Sequence, residues 1–179
     1  MNAKSLYLLS VQENGIPQAE YGKLGRGEKA LLEEKDGKYF LKAGERAKFS
    51  VVLTGGAFDV LHIGHVLTLQ KARGLGDLLV AVVATNETVE KRKGKKPIHA
   101  ADYRCSMVAA LKPVDLAIVG GQDMLQTFAR VSPDIVAFGY DQKPFPLPQE
   151  AGCKSVHLTE VKSDPALAKT SRIIRDLGL

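Results

Sequence analysis

Residues 49–65 read FSVVLTGGAFDVLHIGH, and this stretch decides the fold. The β-branched and apolar side chains of Phe49–Thr54 predict a strand inside a sheet. Two glycines follow directly, and a helix is predicted from Ile63 onward. Where a strand passes through a glycine turn into a helix, the first amides of the helix point at the turn. The stretch therefore predicts an α/β unit with an anion site behind its first strand.

The chain after this stretch keeps alternating between strands and helices. The predicted strands are Leu78–Ala84, Leu116–Val119, Ile135–Phe138 and Ser155–Leu158. The predicted helices are Ile63–Leu75, Ala100–Leu111, Asp123–Val131 and Lys169–Leu177. This alternation predicts a Rossmann-like α/β domain over residues 48–179, a parallel sheet with helices on both faces. Ligands of such sheets bind at the carboxyl ends of the strands.

The segment before residue 48 has a different pattern. Its stretches with helical propensity are Lys4–Glu13, a segment that begins at Pro17, and Glu28–Glu34. Asp36-Gly37 separates the short strands Leu32–Lys35 and Lys38–Leu41, which predicts a β-hairpin. The order of helix, helix and hairpin resembles a small winged-helix unit. Residues 1–47 are therefore predicted to form a separate α+β segment at the N-terminus.

Composition and charge limit the function classes. The chain has 179 residues, 45% of them hydrophobic, and a net charge of +5. No apolar run approaches the ~20 residues that a membrane span needs, so we expect a cytoplasmic protein with no membrane partner. The basic residues are densest at Lys91–Lys96, a segment suited to a polyphosphate or to nucleic acid.

His62 and His65 mark the start of the helix that follows the glycine turn. Side chains three residues apart lie on one face of a helix. Two imidazoles at an anion site donate hydrogen bonds to phosphate oxygens and stabilise charge on a leaving pyrophosphate. A zinc site is the alternative, but no cysteine or carboxylate lies nearby at metal-binding spacing.

Ala57-Phe58-Asp59 together with His62-Ile63-Gly64-His65 resembles the signature of the cytidylyltransferase-like nucleotidyltransferase superfamily. The resemblance implies that the two histidines are catalytic and contact a nucleoside triphosphate. It implies that Asp59 lies near the phosphates or a bound Mg²⁺. The implied nucleotide-binding residues of this stretch are Gly56, Ala57, Phe58, Asp59 and Gly64. The family usually has Thr or Cys where this chain has Ala57, so one side-chain contact is missing.

Two further segments match the same superfamily. The basic stretch with Lys93 and Lys95, followed by Arg104, resembles its phosphate-neutralising cations, and these three are implied to be catalytic. Residues 169–174 resemble its second phosphate-binding motif, which assigns nucleotide binding to Thr170, Ser171 and Arg172. Hydroxyl groups at a helix start beside a cation form such a grip.

Gly139-Tyr140-Asp141-Gln142 follows the strand Ile135–Phe138 and resembles archaeal-type FAD synthase. Tyr140 can stack on a base, and Asp141 can accept a hydrogen bond from its amino group. Gly139, Tyr140 and Asp141 are therefore predicted to bind the nucleotide. The resemblance implies transfer of an adenylyl group from ATP to FMN, which gives FAD and pyrophosphate.

Two alternatives remain open. The first is a cytidylyltransferase that uses CTP and acts on glycerol 3-phosphate or another phosphorylated alcohol or sugar. Asp164–Leu167 lacks the arginine expected of the glycerol phosphate enzyme, which argues against that acceptor. The second is a nucleotide-sensing, DNA-binding regulator built on residues 1–47. That segment has no dense basic helix, so a nucleic-acid partner is not expected. A homodimer is predicted.

Overall fold

The computed structural model describes residues 1–121, 123–140, 142, 152–158, 173, 175 and 176. The chain divides into two compact units, Met1–Ser50 and Val51–Leu179. The predicted division of the chain after residue 47 stays a prediction.

The first unit contains four short helices and one hairpin. Its elements are α1 (Ala3–Gln12), α2 (Gln18–Lys23), α3 (Arg26–Lys29), β1 (Leu32–Lys35), β2 (Lys38–Leu41) and α4 (Ala43–Arg46). The hairpin prediction is confirmed, because Asp36 and Gly37 form the turn with φ angles of 51° and 75°. The predicted helix over Glu28–Glu34 was wrong beyond α3, since residues from Leu32 onward pair with β2. Tertiary pairing overrides local helix propensity there.

The second unit is a five-stranded parallel sheet flanked by helices. Its strands are β3 (Val51–Gly56), β4 (Leu78–Val83), β5 (Leu116–Val119), β6 (Ile135–Phe138) and β7 (Lys154–His157). The spatial order is β5-β4-β3-β6-β7. The five predicted strands and the Rossmann-like fold class are confirmed, with strand ends displaced by at most two residues.

The strand order sets the position of the ligand crevice. From β3 the chain first moves to one side through β4 and β5, and then returns to place β6 on the other side of β3. In such sheets the crevice lies where the direction reverses, at the carboxyl ends of β3 and β6. The Thr54 hydroxyl donates to the Ala137 carbonyl at 2.9 Å and holds these two strands together.

Four helices of this unit are described: α5 (Ile63–Arg73), α6 (Asn86–Lys93), α7 (Ala101–Ala109) and α8 (Met124–Val131). Three of them were predicted, whereas α6 was missed. The predicted helix Lys169–Leu177 lies mostly outside the described residues. Leu69 of α5 and Val108 of α7 are fully buried in the core with Val52 and Leu79 of the sheet. Throughout the described part of the chain, every helix is too short or too polar to cross a membrane.

Candidate active site

The turn between β3 and α5, residues 57–62, is here called the signature turn. Phe58 has a φ of +49°, a left-handed conformation that is uncommon for a bulky residue. Its ring lies against Gly56, where an added Cβ atom would come within 2.9 Å of the Phe58 ring. Glycine is therefore favoured at residue 56, because a Cβ atom there would force the Phe58 ring to shift.

His62 and His65 lie together at the start of α5. His62 is the N-cap residue of the helix. The two imidazole rings stack with their centroids 3.9 Å apart, and the Phe58 ring lies 5.2 Å from that of His65. Both histidines line a cavity at the carboxyl ends of the strands. The first amides of α5 add positive partial charge at the same place, so an anion is favoured there.

The His65 side chain is neutral in this structure at physiological pH. Burial lowers the pKa of His65, the charges of His62 and Lys93 add to this effect, and together they bring the pKa to about 3. Its Nδ1 atom is buried and has no hydrogen-bond partner among the described residues. A buried polar atom without a partner is uncommon in folded proteins, which marks this ring as a candidate functional group.

The basic segment, residues 91–96, begins on α6, for which the sequence pattern predicted no helix. Lys93 is the last residue of the helix, and Gly94 ends it with a φ of +68°. Basic side chains in the last turn interact favourably with the helix dipole. Arg92, Lys93, Lys95 and Lys96 line the cavity. The segment therefore supplies several positive charges close to the histidine pair.

Asp59 is buried, with 6% of its surface exposed, and its carboxylate faces the chain that follows the basic segment. The two carboxylate oxygens accept hydrogen bonds from the amides of Ile98 and His99, each at 3.0 Å. The His99 ring contacts the Asp59 carbonyl through Nδ1, also at 3.0 Å. The Asp59 side chain thus links the signature turn to the segment that contains Ile98 and His99.

Arg104 extends from α7 and is fully buried. Its Nε donates to the His99 carbonyl at 2.9 Å, and one terminal nitrogen donates to Asn86 Oδ1 at 2.8 Å. The other terminal nitrogen donates to the Ala57 carbonyl. Burial lowers the pKa of the Arg104 guanidinium, and the Asp59 carboxylate raises it. The structure places Arg104 behind the signature turn, among protein acceptors.

The end of β6 forms the other side of the crevice, where Gly139 and Tyr140 line the cavity. Gln142 bridges the two central strands: its amide nitrogen donates to the Gly55 carbonyl at 2.6 Å, and its amide oxygen accepts from the Gly139 amide at 2.9 Å. No role was predicted for Gln142 from the sequence. Its position as a polar residue just after a predicted strand was the signal that could have indicated one.

The cavity has a volume of about 810 Å³, which falls within the range of small-molecule sites. The predicted site residues that line it are Gly56, Ala57, Phe58, Asp59, His62, Gly64, His65, Lys93, Lys95, Gly139 and Tyr140. Arg104 is held behind this wall. Asp141, Thr170, Ser171 and Arg172 lie outside the described residues. The individual roles of all these residues stay predictions.

A protein-based metal site does not fit the residues described. No group of three or more His, Cys, Asp or Glu side chains in this part of the chain is arranged to hold a metal ion. Asp59 provides the sole carboxylate among the described cavity residues, and each of its oxygens already accepts one hydrogen bond from a backbone amide. Mg²⁺ needs open oxygen ligands. The predicted metal role of Asp59 therefore gains no support from its geometry.

A comparison with protein families identifies the class. The family described as cytidylyltransferase-like matches residues 53–172, a range that includes both the signature turn and the basic segment. The chain therefore belongs to the cytidylyltransferase-like family of nucleotidyltransferases. The resemblance inferred from the signature residues is confirmed.

Similar proteins point to one branch of this family. A protein named FAD synthase from Thermococcus sibiricus is 39% identical over 136 residues, which cover 70% of this chain and 90% of that protein. Another FAD synthase, from Aciduliprofundum boonei, is 55% identical over 93 residues, 51% of this chain and 62% of that protein. A crystal structure titled lipopolysaccharide core biosynthesis protein, from Thermoplasma volcanium, is 36% identical with a TM-score of 0.57. The match covers 64% of this chain and 99% of the Thermoplasma volcanium chain.

Proposed function

We propose that this chain is an FMN adenylyltransferase that converts ATP and FMN to FAD and pyrophosphate. The observation that carries the proposal is the stacked His62–His65 pair at an α5 start faced by the basic segment. The similar proteins are named after FAD, the product that ATP as donor and FMN as acceptor would form. The experiment at the end of this subsection tests both.

The reaction is a single in-line displacement at phosphorus. An oxygen of the FMN phosphate attacks the α-phosphorus of ATP, the bond to the bridging β-phosphate oxygen breaks, and pyrophosphate leaves. A phosphate nucleophile is ionised near neutral pH, so no general base is required. The protein contributes position and charge stabilisation. A divalent cation such as Mg²⁺ would be bound by the triphosphate oxygens and would neutralise part of their negative charge.

The histidines and the lysines have different tasks in this proposal. Because the pKa of His65 is lowered to about 3, its imidazole is a neutral hydrogen-bond donor to a phosphate oxygen. Lys93 and Lys95 supply the positive charge that balances the triphosphate and the leaving pyrophosphate. Charge stabilisation of this kind is often the largest single contribution to the rate.

The two substrates would occupy opposite halves of the cavity. Gly139 and Tyr140 at the end of β6 suit the adenine, since a tyrosine ring can stack on a base. The other half is formed by the ends of β4 and β5 and the start of α8, with an apolar wall that includes Val82, Met124 and Phe128. An apolar wall suits the flat isoalloxazine ring of FMN. We therefore place the acceptor on the β5 side.

The test is pyrophosphate release with Mg²⁺ from ATP or CTP, each with and without FMN, together with detection of FAD. We expect release from ATP only when FMN is present, and its loss in His65→Ala. Gln70→Ala removes an exposed side chain of the same helix and should retain activity. Release that requires CTP and ignores FMN would favour the cytidylyltransferase alternative. The predicted cytoplasmic location and homodimer stay predictions.

A further inference from the structure

The hydrogen bonds of Arg104 join three separate segments of the unit. Its acceptors are Ala57 in the signature turn, Asn86 at the first turn of α6, and His99 in the connection to α7. A guanidinium group carries its donors in a rigid plane, so one side chain fixes the relative position of all three acceptors. Arg104 is fully buried, and it is absent from the described cavity wall.

Asp59 makes a second connection between the same regions. Its carboxylate holds the amides of Ile98 and His99, and its carbonyl contacts the His99 ring. Hydrogen bonds from backbone amides to an ionised carboxylate are stronger than those between neutral groups. Asp59 also provides the negative charge that favours the charged form of the buried Arg104. Asp59 within the signature turn and Arg104 behind it therefore form one buried polar cluster.

This cluster brackets the basic segment. Before the segment, Arg104 binds Asn86, the first residue of α6. After the segment, Asp59 binds the amides of Ile98 and His99, and Arg104 binds the His99 carbonyl. Residues 91–96 themselves are exposed. Long lysine side chains lose considerable freedom when they are ordered, so a fixed backbone reduces the entropic cost of placing them on a ligand.

We propose that Arg104 and Asp59 are positioning residues that hold the basic segment against the signature turn, so that Lys93 and Lys95 face the triphosphate. Neither side chain touches the substrate in this assignment. It replaces the direct phosphate contact expected for Arg104 and the metal contact expected for Asp59. The inference rests on the proposed use of the cavity for a nucleoside triphosphate.

The test combines ATP binding by calorimetry, without acceptor, with a double-mutant cycle. The variants are Arg104→Lys, Arg104→Met, Lys93→Ala and the Arg104→Met/Lys93→Ala double mutant. Tyr103→Met is the matched control, because Tyr103 precedes Arg104 on α7 and is 70% exposed. A misplacement of an active-site group by about 1 Å can lower a reaction rate about 100-fold. We expect Arg104→Met to weaken ATP binding by at least about tenfold, because Lys93 and Lys95 would no longer be held in position. Thermal melting checks that each variant is folded.

Three results would support the positioning role. Arg104→Lys should bind ATP as poorly as Arg104→Met, because a lysine keeps the charge but cannot reach three acceptors. Lys93→Ala should weaken binding in the unmutated chain and have little further effect in Arg104→Met, with a coupling of about fivefold or more. Tyr103→Met should bind ATP normally.

Other results would overturn it. Restored binding in Arg104→Lys, or additive effects of Arg104→Met and Lys93→Ala, would mean that Arg104 acts through its charge on the phosphates. If Arg104→Met does not fold, Asn86→Ala replaces it in the double-mutant cycle. Asn86 is exposed, and this substitution removes one of the three acceptors of Arg104. Failure of the unmutated chain to bind ATP would reject the proposed function. Normal ATP binding with additive effects would reject only the positioning role.

Discussion

Replacement of His65 by asparagine should make the protein more resistant to acid. The pKa of His65 is lowered to about 3 in the folded chain, chiefly by burial and then by the charges of His62 and Lys93. In the unfolded chain an imidazole titrates near its ordinary value of about 6.5. Between these two pH values the unfolded state binds one proton more than the folded state. Folding stability is therefore lost as the pH falls from about 6.5 towards 3, and is fully present above 6.5.

The size of the effect follows from the shift. Each pH unit in this window costs about 1.36 kcal/mol for one proton. Between pH 6.5 and pH 4.5 the unmutated chain should lose about 2–3 kcal/mol through His65 alone. Asparagine has no proton to gain, so His65→Asn should lose that much less over the same interval. Its packing defect changes stability by the same amount at both pH values and cancels in the comparison.

Urea unfolding followed by circular dichroism at pH 6.5 and pH 4.5 measures both quantities. Gln70→Asn is the control, because it changes an exposed side chain of the same helix without adding or removing a titratable group, and it should follow the unmutated chain. The reasoning is refuted if His65→Asn and the unmutated chain lose stability in parallel between the two pH values. In that case the folded protein accommodates the charged imidazole, and the neutral-donor role proposed for His65 loses its basis.

Two further predictions test the turn and the acceptor side of the cavity. Gly56→Ala should destabilise the chain by about 1–3 kcal/mol in thermal or urea unfolding, because its Cβ would lie 2.9 Å from the Phe58 ring. Gly55→Ala, whose Cβ would lie 3.6 Å from its nearest neighbour, should cost clearly less, and equal losses would contradict the steric argument. Met124→Asp should raise KM for FMN by about tenfold and leave KM for ATP unchanged, because a charge would face an apolar ring. Leu125 is an exposed neighbour outside the described cavity wall, so Leu125→Asp should change neither KM. A raised KM for ATP in Met124→Asp would mean that ATP, and not FMN, binds on the β5 side.

The fold was predictable because its signals are local. Near-continuous apolar runs such as Leu78–Val83 mark strands buried on both faces, and the Asp36-Gly37 pair marks a hairpin turn. Helix α6 was missed because Val89 is its single apolar residue, so the helix has no apolar periodicity to detect. Its boundary signals were nevertheless present: Thr85 caps its start by accepting from the Thr88 amide, and Gly94 ends it. Capping residues were more informative than periodicity for this surface helix.

The site residues could be predicted only where they belong to a recognised sequence motif. His62 is the N-cap residue of α5 and His65 lies in its first turn, so a spacing of three residues was enough to predict that both lie at the helix start. The partners of Arg104 are up to 47 residues away in sequence, and no local pattern indicates that a cation will face protein acceptors instead of a phosphate. The same applies to Gln142, which reaches Gly55 across 87 residues. Such contacts depend on strand order, which the sequence pattern leaves open.

The histidine pair and the basic segment constrain each other through charge. Two imidazoles stacked at 3.9 Å cannot both be protonated at low cost, and Lys93 makes a charged His65 still less favourable. A lysine is charged near neutral pH, whereas a buried histidine there is not. The positive charge of the site thus resides on the exposed lysines, and the largely buried His65 ring offers a neutral donor. Because burial is the main cause of the low pKa of His65, the ring stays neutral near pH 7 whatever the position of Lys93, and the lysines can follow the phosphates without changing its protonation.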